Sequence, residues 1–234
     1  MPADRGPSAG ELVIVGTPIG NLGDLGPRAR AVLGDADVIC AEDTRRTRKL
    51  LSAFDLHPPR LVSVRARNEA RESARVLRWL AEGRRVALVT DAGMPGLSDP
   101  GGRLARAVIT AGGRVTVVAG PDAATSALLV SGLPRERWSF EGFLPLKGPA
   151  RASRVAAVAA ERRTVVLFEA PHRLLRTLTD LEAAAGVDRV IVVANDLTKR
   201  FERIWRGTVA EVAAELRAAE LRGEFVLVVS PAPS

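Results

Sequence analysis

The sequence predicts an α/β fold with two domains of similar size. Short apolar runs rich in Val, Leu and Ile, which suit buried strands, alternate with longer segments that carry helix signals. This alternation predicts right-handed crossovers and a largely parallel sheet. A stretch dense in Pro and Gly interrupts it at residues 131–150. We therefore predict an N-terminal domain at residues 1–130, a linker region at 131–150 and a C-terminal domain at 151–234, with a cleft shared by the two domains.

Five strands and three helices are predicted in the first half. The strands are the apolar runs at residues 12–15, 38–41, 61–64, 86–89 and 115–118. The helices, at residues 27–33, 68–82 and 100–111, each begin at Pro or Asn and are followed by Gly, as helices often are. The second half alternates less regularly, with strands at 165–168, 190–194 and 225–229 and helices at 174–185 and 209–221.

The composition excludes several classes of protein. Among 234 residues there are one cysteine, Cys40, and two histidines, so we expect neither a disulfide framework nor a metal site. No apolar run approaches the ~18 residues of a membrane-spanning helix. Residues 1–10 have no apolar core like that of a signal peptide, and we expect a cytoplasmic protein. Aromatic residues make up only 4% of the chain, which argues against a wide stacking platform for single-stranded nucleic acid.

The positive charge is concentrated in one stretch. The chain has 34 basic and 27 acidic residues, a net charge of +7. Residues 45–85 alone hold 12 basic and 4 acidic residues, a net charge of +8. Two interpretations stay open, a solvated helix face and an electrostatic footprint for a polyanion. Most of these basic residues are Arg, which suits bidentate contacts with phosphate.

Small polar loops dense in Gly and Pro follow the predicted strands. In open parallel sheets, ligands bind beyond the carboxyl ends of the strands. Six such loops lie at residues 16–24, 42–46, 91–102, 119–124, 169–173 and 195–199. They indicate a site whose backbone N–H groups could hold a carboxylate or phosphate, although ordinary strand-to-helix turns use the same residue types. The glycine-rich dinucleotide fingerprint, the P-loop and the G-x-S-x-G elbow are absent.

Ordered motifs in and around these loops, which span residues 12–229, resemble those of one family. The motifs are Gly16-Thr17-Pro18-Ile19-Gly20-Asn21-Leu22, Ala41-Glu42-Asp43-Thr44-Arg45, Asp91-Ala92-Gly93, Ser98-Asp99-Pro100-Gly101, Glu141-Gly142-Phe143-Leu144-Pro145, Pro171-His172-Arg173-Leu174-Leu175 and Leu197-Thr198-Lys199. They resemble the pattern of the bacterial 16S ribosomal RNA cytidine 2′-O-ribose methyltransferases, which belong to the tetrapyrrole-methylase superfamily.

The resemblance implies a two-domain class III methyltransferase, with S-adenosylmethionine bent into the cleft between the two α/β domains. It implies a cytoplasmic homodimer that methylates the 2′-hydroxyl of a decoding-centre cytidine in 16S rRNA, within an assembled small ribosomal subunit. By position it assigns to the cofactor Pro18, Asp91, Ala92, Gly93, Pro95, Ser98, Gly120, Pro121, Asp122, Ala123, Ser126 and Leu144. It assigns to the RNA the segments 21–24 and 42–48, including Asn21, Arg45, Arg46 and Arg48.

Three carboxylates are candidates for a general base. The acceptor 2′-hydroxyl is weakly acidic, so a carboxylate that takes its proton would assist the reaction. Glu42 and Asp43 follow a predicted strand and precede two arginines, and Asp24 is a further candidate. Asp43 has a second interpretation, as the N-cap of a helix over residues 44–51.

The sequence departs from the family pattern near the predicted site. Arg65 and Arg67 stand where the family has two histidines, and these permanent cations are added to the RNA-binding set. Asp122 replaces a small residue. Three hypotheses therefore stay open: the family activity, a paralogue that methylates a different RNA or nucleotide, for example in ribosome self-resistance, and a non-catalytic RNA-binding protein. Methylation of a tetrapyrrole ring carbon is less favoured, because the basic stretch suits RNA better than a macrocycle.

Overall fold

The computed structural model describes residues 10–233 and confirms the α/β class. It divides the chain into two compact units, Met1–Asp122 and Ala123–Ser234. The division falls before the predicted boundary at residues 131–150. We predict that residues 1–10 are not a signal peptide. Nearly all of this segment, residues 1–9, lies outside the described residues.

The first unit is a parallel sheet between two layers of helices. Its strands lie in the order β3-β2-β4-β1-β5, and every neighbouring pair is parallel. The strands are β1 Glu11–Val15, β2 Val38–Ala41, β3 Leu61–Ser63, β4 Val86–Val89 and β5 Arg114–Val118. The helices are α1 Pro27–Asp35, α2 Thr44–Ser52, α3 Glu69–Ala81 and α4 Gly102–Thr110, with a short 3-10 helix at Leu22–Asp24. The five predicted strands and three predicted helices of this half are confirmed, with small shifts at their ends.

Alternate residues of each strand pack on opposite faces of this sheet. On β2, Ile39 belongs to the apolar cluster that includes Leu33 of α1 and Leu51 of α2. The adjacent Cys40 belongs to the cluster on the other face, which includes Trp79 of α3. Burial raises the pKa of the Cys40 thiol to about 12. Because both faces are covered, β2 and β4 are buried along their whole length, as their continuous apolar runs predict.

The second unit contains a mixed sheet in the order β6-β7-β10-β8-β9. Its strands are β6 Trp138–Phe143, β7 Thr164–Glu169, β8 Val190–Asn195, β9 Arg203–Thr208 and β10 Phe225–Val229, and its helices are α5 Ala123–Ser131, α6 Gly148–Ala160, α7 Pro171–Ala185 and α8 Val209–Arg217. The expectation of a largely parallel sheet is wrong here, because β10 lies antiparallel to both β7 and β8 and β9 is antiparallel to β8. This half combines one parallel crossover, from β6 through α6 to β7, with the β8–β9 hairpin and a final antiparallel strand, β10.

The predicted linker region is ordered structure. It contains β6, which pairs in parallel with β7, and the first residues of α6. The helix before it, α5, packs on β7 and β10 and so belongs to the second unit. No helix within residues 10–233 is both long enough and apolar enough to cross a membrane.

Candidate active site

The loops at the carboxyl edge of the first sheet are joined by backbone hydrogen bonds. The strands run in one direction, so the loops after β1, β2, β4 and β5 lie at the same edge. Thr17 N donates to Gly93 O at 2.9 Å, and Gly93 N donates back to Thr17 O at 3.1 Å. Gly16 N donates to Val118 O at 3.1 Å, which ties the β1 loop to the end of β5. Four of the loops predicted to form a site are therefore neighbours.

Glycine is required where the β1 and β5 loops meet. A Cβ atom on Gly16 would lie 2.6 Å from the Gly120 Cα, and one on Gly120 would lie 2.7 Å from the Gly16 Cα. These distances are shorter than real Cβ contacts, so the approach of the two backbones excludes any side chain. Gly120 itself is exposed, so its backbone is open to a ligand.

The predicted cofactor residues of the first unit differ in accessibility. Ser98 and Gly120 are exposed, Pro18, Ala92, Pro121 and Asp122 are half-buried, and Gly93 and Pro95 are buried in their loop. Three predicted residues lie in the second unit, where Ala123 and Ser126 belong to α5 and the Leu144 side chain packs in the apolar core. A side chain in that core has no surface for a ligand, so only the Leu144 backbone could contribute to binding.

The Asp91 carboxylate is bound by groups of this chain. Its Oδ1 accepts from Asp43 N at 3.0 Å, and its Oδ2 accepts from the Arg46 guanidinium at 3.2 Å. The side chain therefore fastens the β4 loop to the β2 loop. Its part in a site is to position the neighbouring residues.

Glu42 lies at the end of β2 and extends toward the end of β4. Its Oε2 lies 2.9 Å from the Thr90 hydroxyl, and Asp99 Oδ2 lies 2.8 Å from the same hydroxyl. Thr90 is only 3% exposed, and its carbonyl accepts from the Thr17 hydroxyl at 3.2 Å. A hydroxyl has one hydrogen and donates to one of these carboxylates at a time. The Glu42 and Asp99 carboxylates therefore lie side by side at the edge of the sheet and share the Thr90 hydroxyl as a donor.

Asp43, by contrast, caps α2. Its Oδ1 accepts from Arg45 N at 2.8 Å, and its Oδ2 pairs with the Arg45 guanidinium at 2.7 Å. Hydrogen bonds from the Arg45 side chain and backbone hold the pKa of the Asp43 carboxyl well below its ordinary value. A carboxylate with so low a pKa is poorly matched to taking a proton near neutral pH. Of the two interpretations of Asp43, the geometry favours the N-cap.

The third candidate base, Asp24, is exposed at the end of the 3-10 helix. Asn21 caps that helix, and its Oδ1 accepts from Gly23 N at 3.0 Å. Both side chains are accessible from solvent.

Arginines surround the carboxylates at this edge. The Arg65 Nε donates to the Glu42 carbonyl at 3.2 Å, and the side chains of Arg45 and Arg46 are 82% and 65% exposed. Arg48 and Arg67 are also exposed. The predicted RNA-binding cations of residues 42–67 therefore lie on α2, directly after Glu42, and on the loop after β3.

Ion pairs offset part of the basic stretch. Arg71 and Arg75 both pair with Glu72, at 2.9 and 3.6 Å, and Arg85 pairs with Glu11 at 3.0 Å. Glu72 is already counted in the net charge of residues 45–85, whereas Glu11 lies outside this stretch, so the Arg85–Glu11 pair makes the free positive charge smaller than +8.

Three residues of this region were not predicted to have a role. The Thr90 hydroxyl lies between the Glu42 and Asp99 carboxylates, and Glu69 binds the first turn of α4. Glu69 Oε1 accepts from the backbone N–H groups of Gly101, Arg103 and Leu104 at 2.9–3.0 Å. The sequence did contain two signals, since Thr90 directly precedes Asp91 at a strand end and Asp99 lies in the motif Ser98-Asp99-Pro100-Gly101.

A buried polar network supports the segment after β6 in the second unit. Glu169 is 2% exposed and pairs with Arg173 at 3.1 Å, while its other oxygen accepts from the Thr177 hydroxyl at 2.6 Å. Arg173 and Arg151 donate to the carbonyls of Leu144 and Pro145. This network positions the Leu144 backbone. Within residues 10–233, no group of three His, Cys, Asp or Glu side chains is placed to hold a metal ion.

Comparison with known proteins identifies relatives along nearly the whole chain. Residues 11–213 match the tetrapyrrole (corrin/porphyrin) methylase family. The protein named ribosomal RNA small subunit methyltransferase I from Xylella fastidiosa (strain Temecula1 / ATCC 700964) is 49% identical over 95% of this chain and 82% of its own. The protein of the same name from Thermotoga maritima is 43% identical over 94% of this chain and 98% of its own.

Solved structures share the fold at lower identity. Cobalt precorrin-4 methyltransferase aligns with a TM-score of 0.70 at 17% identity, covering 98% of each chain. The uroporphyrin-III C-methyltransferase of Thermus thermophilus complexed with S-adenosyl homocysteine aligns with a TM-score of 0.65 at 19% identity, covering 95% of this chain and 97% of its own. The two sheets described above have the fold of these solved structures, and the family match and the sequence identities establish the family. The chain is a methyltransferase of the tetrapyrrole methylase family and belongs within it to the ribosomal RNA small subunit methyltransferase I proteins.

Proposed function

We propose that this protein transfers the methyl group of S-adenosylmethionine to the 2′-hydroxyl of a cytidine in the decoding centre of 16S rRNA. The observation that carries the proposal is the edge of the first sheet, where Glu42 directly precedes the arginines of α2 and its backbone carbonyl accepts from Arg65 on the loop after β3. Relatives at 43–49% identity, whose name specifies ribosomal RNA of the small subunit, support the choice of substrate.

The residues at this edge fit the cofactor. When bound, S-adenosylmethionine supplies a methyl group that is already activated on a sulfonium, so the protein has mainly to align it with the ribose oxygen. The Gly120 backbone packs against Gly16 in a contact that any Cβ would block, and its exposed side is open to the cofactor. The half-buried Asp122 carboxylate would accept hydrogen bonds from an ammonium group or a ribose hydroxyl.

Glu42 is the carboxylate we assign as the base. It is half-buried and held by the Thr90 hydroxyl, whereas the Asp43 carboxylate is occupied by Arg45. A positioned carboxylate within hydrogen-bond reach of the acceptor hydroxyl would take its proton as the methyl group is transferred. Asp43 would act through the structure of α2 instead.

The arginines would hold the RNA backbone. Arg45, Arg46 and Arg48 on α2, with Arg65 and Arg67 on the loop after β3, supply exposed or half-exposed guanidinium groups, which bind phosphate in a bidentate manner. An assembled small subunit in the cytoplasm is the proposed substrate, and a homodimer is the proposed state. Sedimentation of the purified protein tests the homodimer.

Transfer of a labelled methyl group tests the reaction. The protein is incubated with labelled S-adenosylmethionine and with 30S subunits, naked 16S rRNA or tRNA, and the modified nucleotide is mapped. We expect label on one cytidine ribose of the 30S subunit. Label on another RNA or nucleotide would favour the paralogue, and cofactor binding by calorimetry without transfer to any RNA would contradict the proposal.

Two variants test the role of the carboxylate. Glu42→Gln should lower kcat about 10²- to 10⁴-fold while the affinity for S-adenosylmethionine stays the same, because one general base is removed. The exposed Glu82 on the same unit serves as a control, and Glu82→Gln should keep full activity. Unchanged kcat in Glu42→Gln would rule out this base.

The double variant Arg65→Ala with Arg67→Ala tests the RNA contact. Loss of two phosphate contacts should weaken RNA binding and reduce the slope of log K against log salt by about 2. Equal affinity and equal slope in the variant and the wild type would show that these arginines do not contact the RNA.

A further inference from the structure

The loop between β8 and β9 in the second unit presents an exposed aromatic ring. Asn195 pairs with Arg203 at the end of this hairpin, so residues 196–202 form the loop, which we call the β8–β9 loop. Phe201 is 65% exposed, and the Arg200 guanidinium lies 5.3 Å from the centre of its ring. The ring therefore has a cation beside it and most of its surface in solvent.

The loop is held in one conformation by hydrogen bonds and ion pairs. Lys199 Nζ contacts Asp196 Oδ1 at 2.6 Å and Glu224 Oε2 at 2.9 Å. At the base of the ring, Glu202 Oε2 accepts from Thr198 N at 2.6 Å. These contacts fix both sides of the loop, so Phe201 is presented by a braced structure.

This conformation is costly for the chain. Asp196 has a φ of 50° and Thr198 a φ of 66°, in the left-handed region that β-branched residues such as Thr avoid. The Thr198 hydroxyl is also buried and has no hydrogen-bond partner among residues 10–233. Strain of this kind persists where the surrounding contacts enforce it, and it is concentrated at functional sites.

The charges around the ring favour an anionic partner. Arg200 and Arg203 are exposed, and neither guanidinium pairs with a carboxylate in the part of the chain that the structure describes. The acidic side chains of the loop, Asp196 and Glu202, are occupied by the Lys199 and Thr198 contacts described above. A mostly exposed aromatic ring, which has Arg200 over it and lies two residues before Arg203 in the chain, matches an unpaired nucleobase flanked by phosphates.

We infer that the β8–β9 loop is a second RNA-binding element, in which Phe201 stacks on one unpaired base of the substrate while Arg200 and Arg203 contact its phosphates. The inference deepens the proposed function and rests on its RNA substrate. One ring at a loop tip is consistent with the low aromatic content, which excludes only a wide platform.

Substitutions at one position separate stacking from apolar contact. Phe201→Ala and Phe201→Leu should each raise the Kd for single-stranded 16S rRNA fragments and for 30S subunits about 5- to 100-fold, since both remove the π-face. Phe201→Trp should restore binding, and the fluorescence of the new indole should be quenched when RNA is added. The matched control is Val187→Ala, at another exposed apolar residue of the same unit, which should bind as the wild type does.

Three outcomes would overturn the inference. If Phe201→Ala or Phe201→Leu binds RNA with the affinity of the wild type, Phe201 does not stack on a base. A change of oligomeric state in Phe201→Ala, seen by sedimentation without RNA, would assign the ring to a protein interface. Methyl transfer is measured on the same wild-type sample, so loss of the proposed activity is read separately from loss of the Phe201 contact.

Discussion

Replacing Glu69 by Ala should loosen the loop that leads into α4. The Glu69 side chain is 4% exposed and lies at the start of α3, yet its Oε1 accepts from three backbone N–H groups in the first turn of α4. The first N–H groups of a helix have no partners within it. Glu69 therefore acts as a cap supplied by a different helix, and it fixes the end of the loop 91–101.

The magnitude follows from the groups that lose their partner. A buried donor left unpaired costs about 1–3 kcal/mol, and a carboxylate at a helix N-terminus adds about 0.3–1 kcal/mol. Arg103 is exposed, so water would satisfy part of this loss. We expect about 2–4 kcal/mol for Glu69→Ala. For Glu69→Gln we expect about 1 kcal/mol, because the amide oxygen still accepts hydrogen bonds.

Calorimetry and hydrogen exchange measure this effect. For a unit of this size, 2–4 kcal/mol corresponds to a fall in Tm of roughly 6–15 °C. Exchange of the amides at Gly101, Arg103 and Leu104 should become faster in Glu69→Ala. The control is Glu82→Ala, which removes an exposed carboxylate just after the other end of α3. If Glu69→Ala has the same Tm as the Glu82→Ala control and these amides stay protected from exchange, Glu69 does not stabilise the start of α4.

Three further predictions concern other parts of the first unit. Asp43→Asn should lower Tm near pH 7. The difference from wild type should shrink steadily once the pH falls below 3.8, the ordinary carboxyl pKa, because a depressed folded-state pKa stabilises fully above the unfolded value and this stabilisation is lost as the pH falls toward the folded-state pKa. A difference that is constant from pH 7 to about pH 2 would contradict this. Burial raises the pKa of Cys40 to about 12, so this thiol should react with a thiol reagent only when the protein unfolds. Rapid labelling of the native protein would show that Cys40 is not buried. Gly120→Ala should lower the free energy of unfolding in urea by about 1–3 kcal/mol and weaken S-adenosylmethionine binding in calorimetry. Gly102→Ala is the control and should have neither effect, because a Cβ at Gly102 meets nothing within 4 Å. Equal effects at the two positions would refute the close contact between Gly120 and Gly16.

The apolar strands of this protein could be predicted because their burial is complete. The predicted bounds of β2, β4 and β10 coincide with those of the structure, and each of these strands is buried at every residue. The strands that were missed, β6 and β9, lie at the edges of the second sheet. An edge strand has one neighbour and an exposed side, so its sequence carries polar residues and Gly and lacks a continuous apolar run.

Part of the candidate site was also visible in the sequence. Because parallel strands end at one edge, the loops after β1, β2, β4 and β5 could be expected to meet there, and the backbone hydrogen bonds between Thr17 and Gly93 confirm that two of them do. The sequence could not decide between Glu42 and Asp43. The directions of two adjacent side chains after a strand depend on where the next helix begins. In the structure the Asp43 side chain caps the first turn of α2, and the Glu42 carboxylate reaches the Thr90 hydroxyl.

The α/β class, the parallel first sheet and the family could be predicted from the sequence, because burial periodicity and ordered motifs are local properties of the chain. The antiparallel return of β10, the boundary after Asp122 and the partners of each carboxylate became known from the three-dimensional structure. These features depend on contacts between residues far apart in the chain. Glu69 and Gly101 are 32 residues apart and Thr90 and Glu42 are 48 apart, and no local pattern records such a pairing.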